Sequence, residues 1–150
     1  MVRYWYSRLA ISYVWFYNDC IVPFSGGKDS TFVLHEIIVR HKLKPLVVSF
    51  DHGFFRKQLT NNIERTLKIL GADYLVFRSN MRIVGKLMLE SLKRKGDFCW
   101  HCHAGVYAYA MQIAVRFKIP FLVWGEGGGE YEGYFKLLGL EDERVDAISN

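Results

Sequence analysis

Four short stretches of the 150-residue chain carry residue types that do chemistry. The first is Ser25-Gly-Gly-Lys-Asp-Ser30, between the apolar run 20–24 and the helix-like run that begins at Thr31. Adjacent glycines that leave a strand and open a helix turn free backbone N–H groups and the positive end of the helix dipole onto an anion. Gly26 and Gly27 let that backbone approach without a Cβ clash. The Ser25 and Ser30 hydroxyls can donate to phosphate oxygens, and Lys28 stands close enough to add charge. Asp29 reads either as a helix N-cap or as the organiser of a magnesium or pyrophosphate site. Walker A spacing is absent, because Gly26 and Gly27 are adjacent and Lys28 is followed by Asp29. Gly-x-Gly-x-x-Gly does not fit either.

The second stretch, Ser49-Phe-Asp-His-Gly53, ends an apolar run with an aromatic residue, a carboxylate and a glycine. It reads as a ligand-facing strand end or as a plain strand-to-loop exit. The third, Gly96-Asp-Phe-Cys-Trp-His-Cys-His-Ala-Gly105, holds Cys99-x-x-Cys102 beside His101 and His103. Two cysteines at this spacing supply half of a tetrahedral Zn2+ or iron–sulfur site, a redox pair, or two buried or substrate-facing thiols. Four ligands drawn from five consecutive residues would be badly strained. Cys20 starts its strand on the order of 13 Å behind the glycine loop at about 3.3 Å per residue, so a full site needs ligands from elsewhere. The fourth, Trp124-Gly-Glu-Gly-Gly-Gly-Glu-Tyr131, offers Glu126 and Glu130 to hold magnesium or orient an amine, or else forms a glycine linker.

Positioning these stretches requires one edge of a sheet. Short, continuous apolar runs at 20–24, 45–51, 74–78 and 121–125 read as parallel strands buried on both faces. Helical patterns fill the intervals at 30–41, 60–70, 81–95 and 104–117, and such alternation predicts an α/β fold with a parallel sheet flanked by helices in three layers. Polar residues 60–62 are N-cap candidates for the second helix. Gly71 and Gly96 stand where helix C-termini want a left-handed residue. Parallel strands all end at the same edge, so an odd number of helices must return the chain between them. Two helical patterns lie between 78 and 121. If the second alone runs back along the sheet, the loop 96–103 lies at the carboxyl edge, where open α/β sheets bind ligands.

Composition sets the outer limits. With 51% hydrophobic and 23% charged residues the chain is globular and not disordered. Three cysteines, an odd number, do not make a disulfide framework, and no signal-peptide pattern is present, so a cytoplasmic location is expected. The apolar, aromatic run 9–17 is too short for a spanning helix of about 20 residues. Net charge is +5 but unevenly spread. Residues 40–118 carry 15 basic against 5 acidic side chains, and residues 126–146 carry 7 acidic against 2 basic. The basic middle suits an anionic ligand; solvated helix faces explain scattered lysines more simply than a nucleic-acid partner does.

Ser-Gly-Gly-x-Asp-Ser resembles the PP-loop of the ATP pyrophosphatase superfamily, whose fold is adenine nucleotide alpha hydrolase-like and Rossmann-like. That resemblance implies ATP and Mg2+ as cofactors, with Ser25, Gly26, Gly27, Asp29 and Ser30 lining the phosphates, Phe50 meeting the adenine, and Asp51 meeting the ribose or a metal. Asp19 to Ser30, Phe50-Asp-His-Gly53, Asn62-Ile-Glu64, Phe77-Arg78, the Cys-Trp-His-Cys-His stretch and Ile119-Pro through Trp124-Gly125-Glu126 with Glu130-Tyr131 are together similar to the N-acetyl sugar amidotransferases of surface polysaccharide (lipopolysaccharide) biosynthesis. Membership would imply that ATP adenylates the acetamido group of a nucleotide-linked sugar and that ammonia from a separate glutaminase subunit displaces AMP. Lys28, Asp29, Asp51, Glu126 and Glu130 are then the expected catalytic residues, Gly125 joins the cofactor-binding set, and Cys99 and Cys102 are the expected metal ligands. Two other readings accompany it: a tRNA sulfur-transfer (thiolation) enzyme using the same loop, and a non-catalytic ATP-binding module. The expected parse is an atypical aromatic segment 1–18, suited to a homodimer or partner surface, and a PP-loop domain 19–150. Members of the resembled family are longer at both ends and usually begin with cysteine pairs that residues 1–18 lack.

Overall fold

The computed structural model describes residues 17–125. In chain order they form β1 (Cys20–Pro23), α1 (Lys28–His35) with a π-helical turn (Glu36–Arg40), β2 (Pro45–Asp51), α2 (Lys57–Leu70), β3 (Asp73–Arg78), α3 (Met81–Lys95) and α4 (Trp100–Phe117). The three strands pair in parallel in the order β1-β2-β3. The free side of β1 is met by residues 121–123. The Ile21 N–H donates to the Phe121 carbonyl at 2.8 Å and the Val123 N–H to the Ile21 carbonyl at 2.9 Å.

The strand expected over 121–125 is therefore a single parallel bridge, Ile21 to Leu122. The cause lies in β1. The next ladder bond would need an N–H at position 23, and Pro23 has none. The chain leaves the sheet after Val123 and bends towards α1.

Alternate residues of the strands feed two cores. Cys20, Val22 and Val47 pack with Leu34 and Ile37 beside α1 and with Ile63 and Leu67 of α2. Ile21, Leu46 and Val48 pack on the opposite face with Ala110 of α4 and Ile119. Burying an aliphatic side chain of this size contributes about 1.5–3 kcal/mol, so the period-2 pattern alone fixes which helix covers which face. α4 lies across β1 and β2, and α3 packs against α4 instead of on the sheet. Only α4 thus carries the chain back, and its N-terminus stands at the carboxyl edge.

Helix ends follow local chemistry in part. Gly71 and Gly96 adopt left-handed φ values of 65° and 70° and cap α2 and α3. Asn80 accepts from the Arg82 N–H at the start of α3. α2 begins at Lys57, ahead of the polar residues 60–62 that were cap candidates. α4 begins at Trp100, earlier than the expected residue 104, which places Cys102 and His103 in its first turn. Among the described residues no helix is long and apolar enough to cross a membrane. Residues 1–16, most of the predicted N-terminal segment, lie outside the described residues.

One contact joins the two sides of the carboxyl edge. The Phe50 ring is seated on Gly105 of α4 so closely that a Cβ there would come within 2.3 Å of it. A Gly105→Ala substitution gains up to about 1 kcal/mol of helix propensity and loses about 1–3 kcal/mol to overpacking. Net destabilisation in a urea melt, reduced when Phe50→Leu is added, is the expected outcome; a Gly105→Ala protein more stable than its parent would refute this seating.

Candidate functional site

The glycine loop is anchored before it starts. The Phe24 N–H donates to the Val48 carbonyl at 2.8 Å, and the buried Ser49 hydroxyl donates to the Phe24 carbonyl. Both bonds tie the exit of β1 to β2. Gly26 then turns with φ 75°, pressed so near α2 that a Cβ would fall 2.6 Å from Ile63 Cγ1. Gly27 is the N-cap of α1 and offers no side chain to cap it. Its carbonyl accepts from the Thr31 N–H at 3.0 Å, the Thr31 hydroxyl at 2.7 Å and the Ser30 hydroxyl at 3.2 Å. Ser25 Oγ lies 3.2 Å from Ser30 Oγ and 3.3 Å from the Gly27 N–H. The N–H groups of Lys28, Asp29 and Ser30 precede the first intrahelical bond and have no acceptor within α1.

Asp29 is therefore not the N-cap. It lies in the first turn with its carboxylate 3.7 Å from Lys28 Nζ, both side chains exposed. Gly125 closes the cradle from the other side, since a Cβ on it would stand 2.9 Å from the Ser30 N and Cα. Ser25, Gly26, Gly27, Lys28, Asp29, Ser30 and Gly125 are thus brought together.

A crevice of about 220 Å³ opens beside the loop. Ser25, Phe50 and His52 line it from the strand ends, Cys102, His103 and Tyr107 from α4, and Trp124 from the chain after the bridge. Tyr107 and Trp124 rings lie 4.6 Å apart, and Phe50 stacks on Phe77 at 5.6 Å. Phe50 is a wall of the crevice. Burial holds the His52 imidazole below its ordinary pKa, opposed by the neighbouring Asp51 carboxylate and reinforced by His101.

Asp51 faces the other way. Its carboxylate, 5% exposed by residue, accepts the Gly53 N–H at 2.8 Å through Oδ1 and Arg78 Nε at 2.8 Å through Oδ2. A buried carboxylate needs such partners, and with both oxygens engaged Asp51 organises the end of β2. Each oxygen so engaged keeps a second acceptor site, and Asp51 also borders an open cavity at this edge. Glu126 and Glu130 lie outside the described residues.

Cys99 is the N-cap residue of α4 and Cys102 follows in the first turn. Asp97, unnoticed in the sequence, sets this start by accepting the Cys99 N–H at 2.8 Å. Burial, then Cys99 and Asp97, pushes the Cys102 thiol up to about 11. Burial and Asp97 raise Cys99 as well. No group of three or more His, Cys, Asp or Glu side chains among the described residues is arranged to hold a metal ion. The pair supplies two protonated thiols and no complete Zn2+ or iron–sulfur ligand set. Cys20 is sealed in the core, its thiol also raised to about 11 by burial.

No family model matches the chain. An uncharacterised protein of Methanocaldococcus jannaschii is 26% identical over 106 residues, covering 71% of this chain and 37% of its own length. A solved structure described as a predicted subunit of tRNA methyltransferase, from the same organism, is 23% identical with a TM-score of 0.48, covering 81% of this chain and 65% of that one. The chain therefore spans less than two thirds of either. A methyltransferase subunit is neither a sugar amidotransferase nor a tRNA thiolation enzyme. That description matches neither expectation, and neither is carried forward as this chain's function.

The crevice walls Val106, Tyr107 and Tyr109 were missed in the sequence. A signal existed: Cys102, His103, Val106 and Tyr107 repeat at helical spacing on one stripe. The protonated state of Cys102 has a direct readout. At pH 7.5 its alkylation by iodoacetamide, resolved by peptide mass spectrometry, will be at least ~10-fold slower than that of an unperturbed thiol of pKa ≈ 8.5, and will accelerate as the pH rises towards 11. A rate equal to the free thiol at pH 7.5 would overturn the assignment.

Proposed function

We propose that this chain is an ATP-binding domain of the PP-loop, adenine nucleotide alpha hydrolase-like type, which holds the nucleotide so that its α-phosphate faces a second substrate. The observation that carries the reading is the cradle itself. Three N–H groups without intrahelical acceptors and two converging hydroxyls, Ser25 and Ser30, meet at a strand-to-helix turn. That turn lies where β1 sends α1 to one face of the sheet and residues 121–123 receive the chain from α4 on the other. Open α/β sheets bind their ligands at such a switch point.

The β- and γ-phosphates sit on the loop, accepting from the N–H groups of Lys28, Asp29 and Ser30. The loop is too short to wrap a triphosphate in the Walker manner, so the α-phosphate and adenosine extend into the aromatic crevice. Phe50 and Trp124 are the walls that would face a base. Mg2+ fits Asp29, the exposed carboxylate in the first turn of the cradle helix, whereas Asp51 is buried and paired with Arg78. When bound, the ion neutralises phosphate charge. Lys28, 90% exposed at its side chain, is free to swing onto the same phosphates.

A nucleotide-holding module without turnover would bind ATP equally, so two measurements are needed. Calorimetry with Mg-ATP is expected to show binding that weakens at least ~10-fold in Ser30→Ala, whose hydroxyl is worth about 1.5–3 kcal/mol against a charged acceptor. Nucleotide cleaved during long incubation is expected to appear as AMP and pyrophosphate. No binding by the folded protein would sink the site. ADP and phosphate as the products would sink the α-phosphate geometry.

A further inference from the structure

A second cavity, about 260 Å³, opens at the same edge and is lined by Asp51, Gly53, Thr60, Arg78 and Ser79 with Phe55 and Met81. It is distinct from the crevice described above. Phe50 and His52 point into the crevice, whereas Asp51 and Gly53 line the second cavity, as alternate residues of an extended strand end must. Phe55 borders both, so the turn after β2 is the wall between them. The loop and the second cavity share α2 as well. Leu59 packs towards Gly26 and the next residue, Thr60, lines the cavity.

Arg78 is the group that gives this cavity a chemistry. Its Nε is fixed 2.8 Å from the buried Asp51 carboxylate, yet its side chain is 75% exposed. An arginine held through Nε keeps both terminal nitrogens for another acceptor, and their fork matches the oxygens of a phosphate or carboxylate. Asp51 is itself nearly buried and is answered by Gly53 and Arg78, so it pre-orients the guanidinium from the cavity wall. Thr60 and Ser79 bring hydroxyls to the same cavity. The nearest acid in the flanking chain besides Asp51 is Glu64, one turn beyond Thr60 on α2. Residues 52–63 and 78–89 hold Arg56, Lys57, Arg78, Arg82 and Lys86 and no Asp or Glu. The positive field is thus concentrated on the two segments that border the cavity.

We infer that the cavity at Arg78 is a subsite for an oxyanion, phosphate or carboxylate, carried by the second substrate, with Asp51 as the positioning residue for the guanidinium. Naming the ligand as the second substrate rests on the ATP-site reading; the oxyanion site itself does not. The Phe55 turn separates this oxyanion from the nucleotide crevice, so a substrate anchored at Arg78 would approach the α-phosphate over that turn. The two negatively charged ligands are kept apart, each with its own donors.

The test is an amide chemical-shift titration of the whole chain with inorganic phosphate and, separately, with acetate. Saturable shifts are expected at Gly53, Thr60 and Ser79, apart from any at Gly26 and Gly27, and the tighter of the two probes names the oxyanion. Arg78→Lys retains a cation for Asp51 and so protects the fold, but it lacks the fork. It should weaken the cavity response at least ~10-fold, and Arg78→Gln should abolish it. Absence of saturable shifts at those three amides, or shifts of undiminished affinity in a folded Arg78→Lys protein, would overturn the subsite. Failure of Mg-ATP to shift Gly26 and Gly27 while phosphate still shifts Ser79 would overturn the nucleotide reading and leave the subsite standing.

Discussion

The site depends on where β1 stops. Phe24 is held on both sides of its peptide, its N–H by the Val48 carbonyl and its own carbonyl by the Ser49 hydroxyl. Each such bond contributes only about 1 kcal/mol net, but together they fix the position from which the glycine loop departs. Without that pin, two adjacent glycines would make the loop too free to pre-orient any donor. The pin is in turn fixed by β1, whose Ile21 and Val22 are fully buried between the two helical layers. A four-residue strand thus sets the geometry of the loop through its burial and two hydrogen bonds.

The sheet edge then divides by parity. Even-numbered residues at the end of β2 face α4, and the first turn of α4 brings Cys102 and His103 against them. Odd-numbered residues face the start of α2, where Asp51 meets Arg78 from the neighbouring strand. One strand end therefore serves two cavities of different character: an aromatic crevice beside the phosphate loop and a basic cavity with a fixed arginine. This follows from the pleat, and no insertion or extra element is needed to produce it.

Much of the scaffold was legible in the residues. β2 and α3 have the bounds the sequence suggests, and Gly71 and Gly96 cap their helices as left-handed glycines do. The arrival of Cys102 at the carboxyl edge follows from the counting of helices once α3 is seen to pack on α4, leaving α4 alone to run back along the sheet. Other features depend on partners remote in sequence. The strand at 121–125 fails because of Pro23, about a hundred residues earlier, which removes the next donor from the ladder. Asp51 reads the same in sequence whether or not it has a fixed partner, and that partner, Arg78, stands 27 residues on. Function was less legible than fold, since a loop that holds a phosphate does not say what is attached at the far end of the reaction.

The cysteine pair illustrates why motif and chemistry part company. A Cys-x-x-Cys at a helix N-terminus ordinarily gains acidity from the helix dipole. That effect is worth about 0.3–1 kcal/mol, or less than one pH unit of acidity. Burial, then Cys99 and Asp97, act in the opposite sense and carry the Cys102 thiol to about 11. The larger effect wins, and both cysteines stay protonated near neutrality. A protonated thiol is a small apolar group, which suits the stretch of crevice wall shared with Phe50, Val106, Tyr107 and Trp124. Spacing alone therefore does not set the acidity of the pair; burial, the second cysteine and Asp97 do.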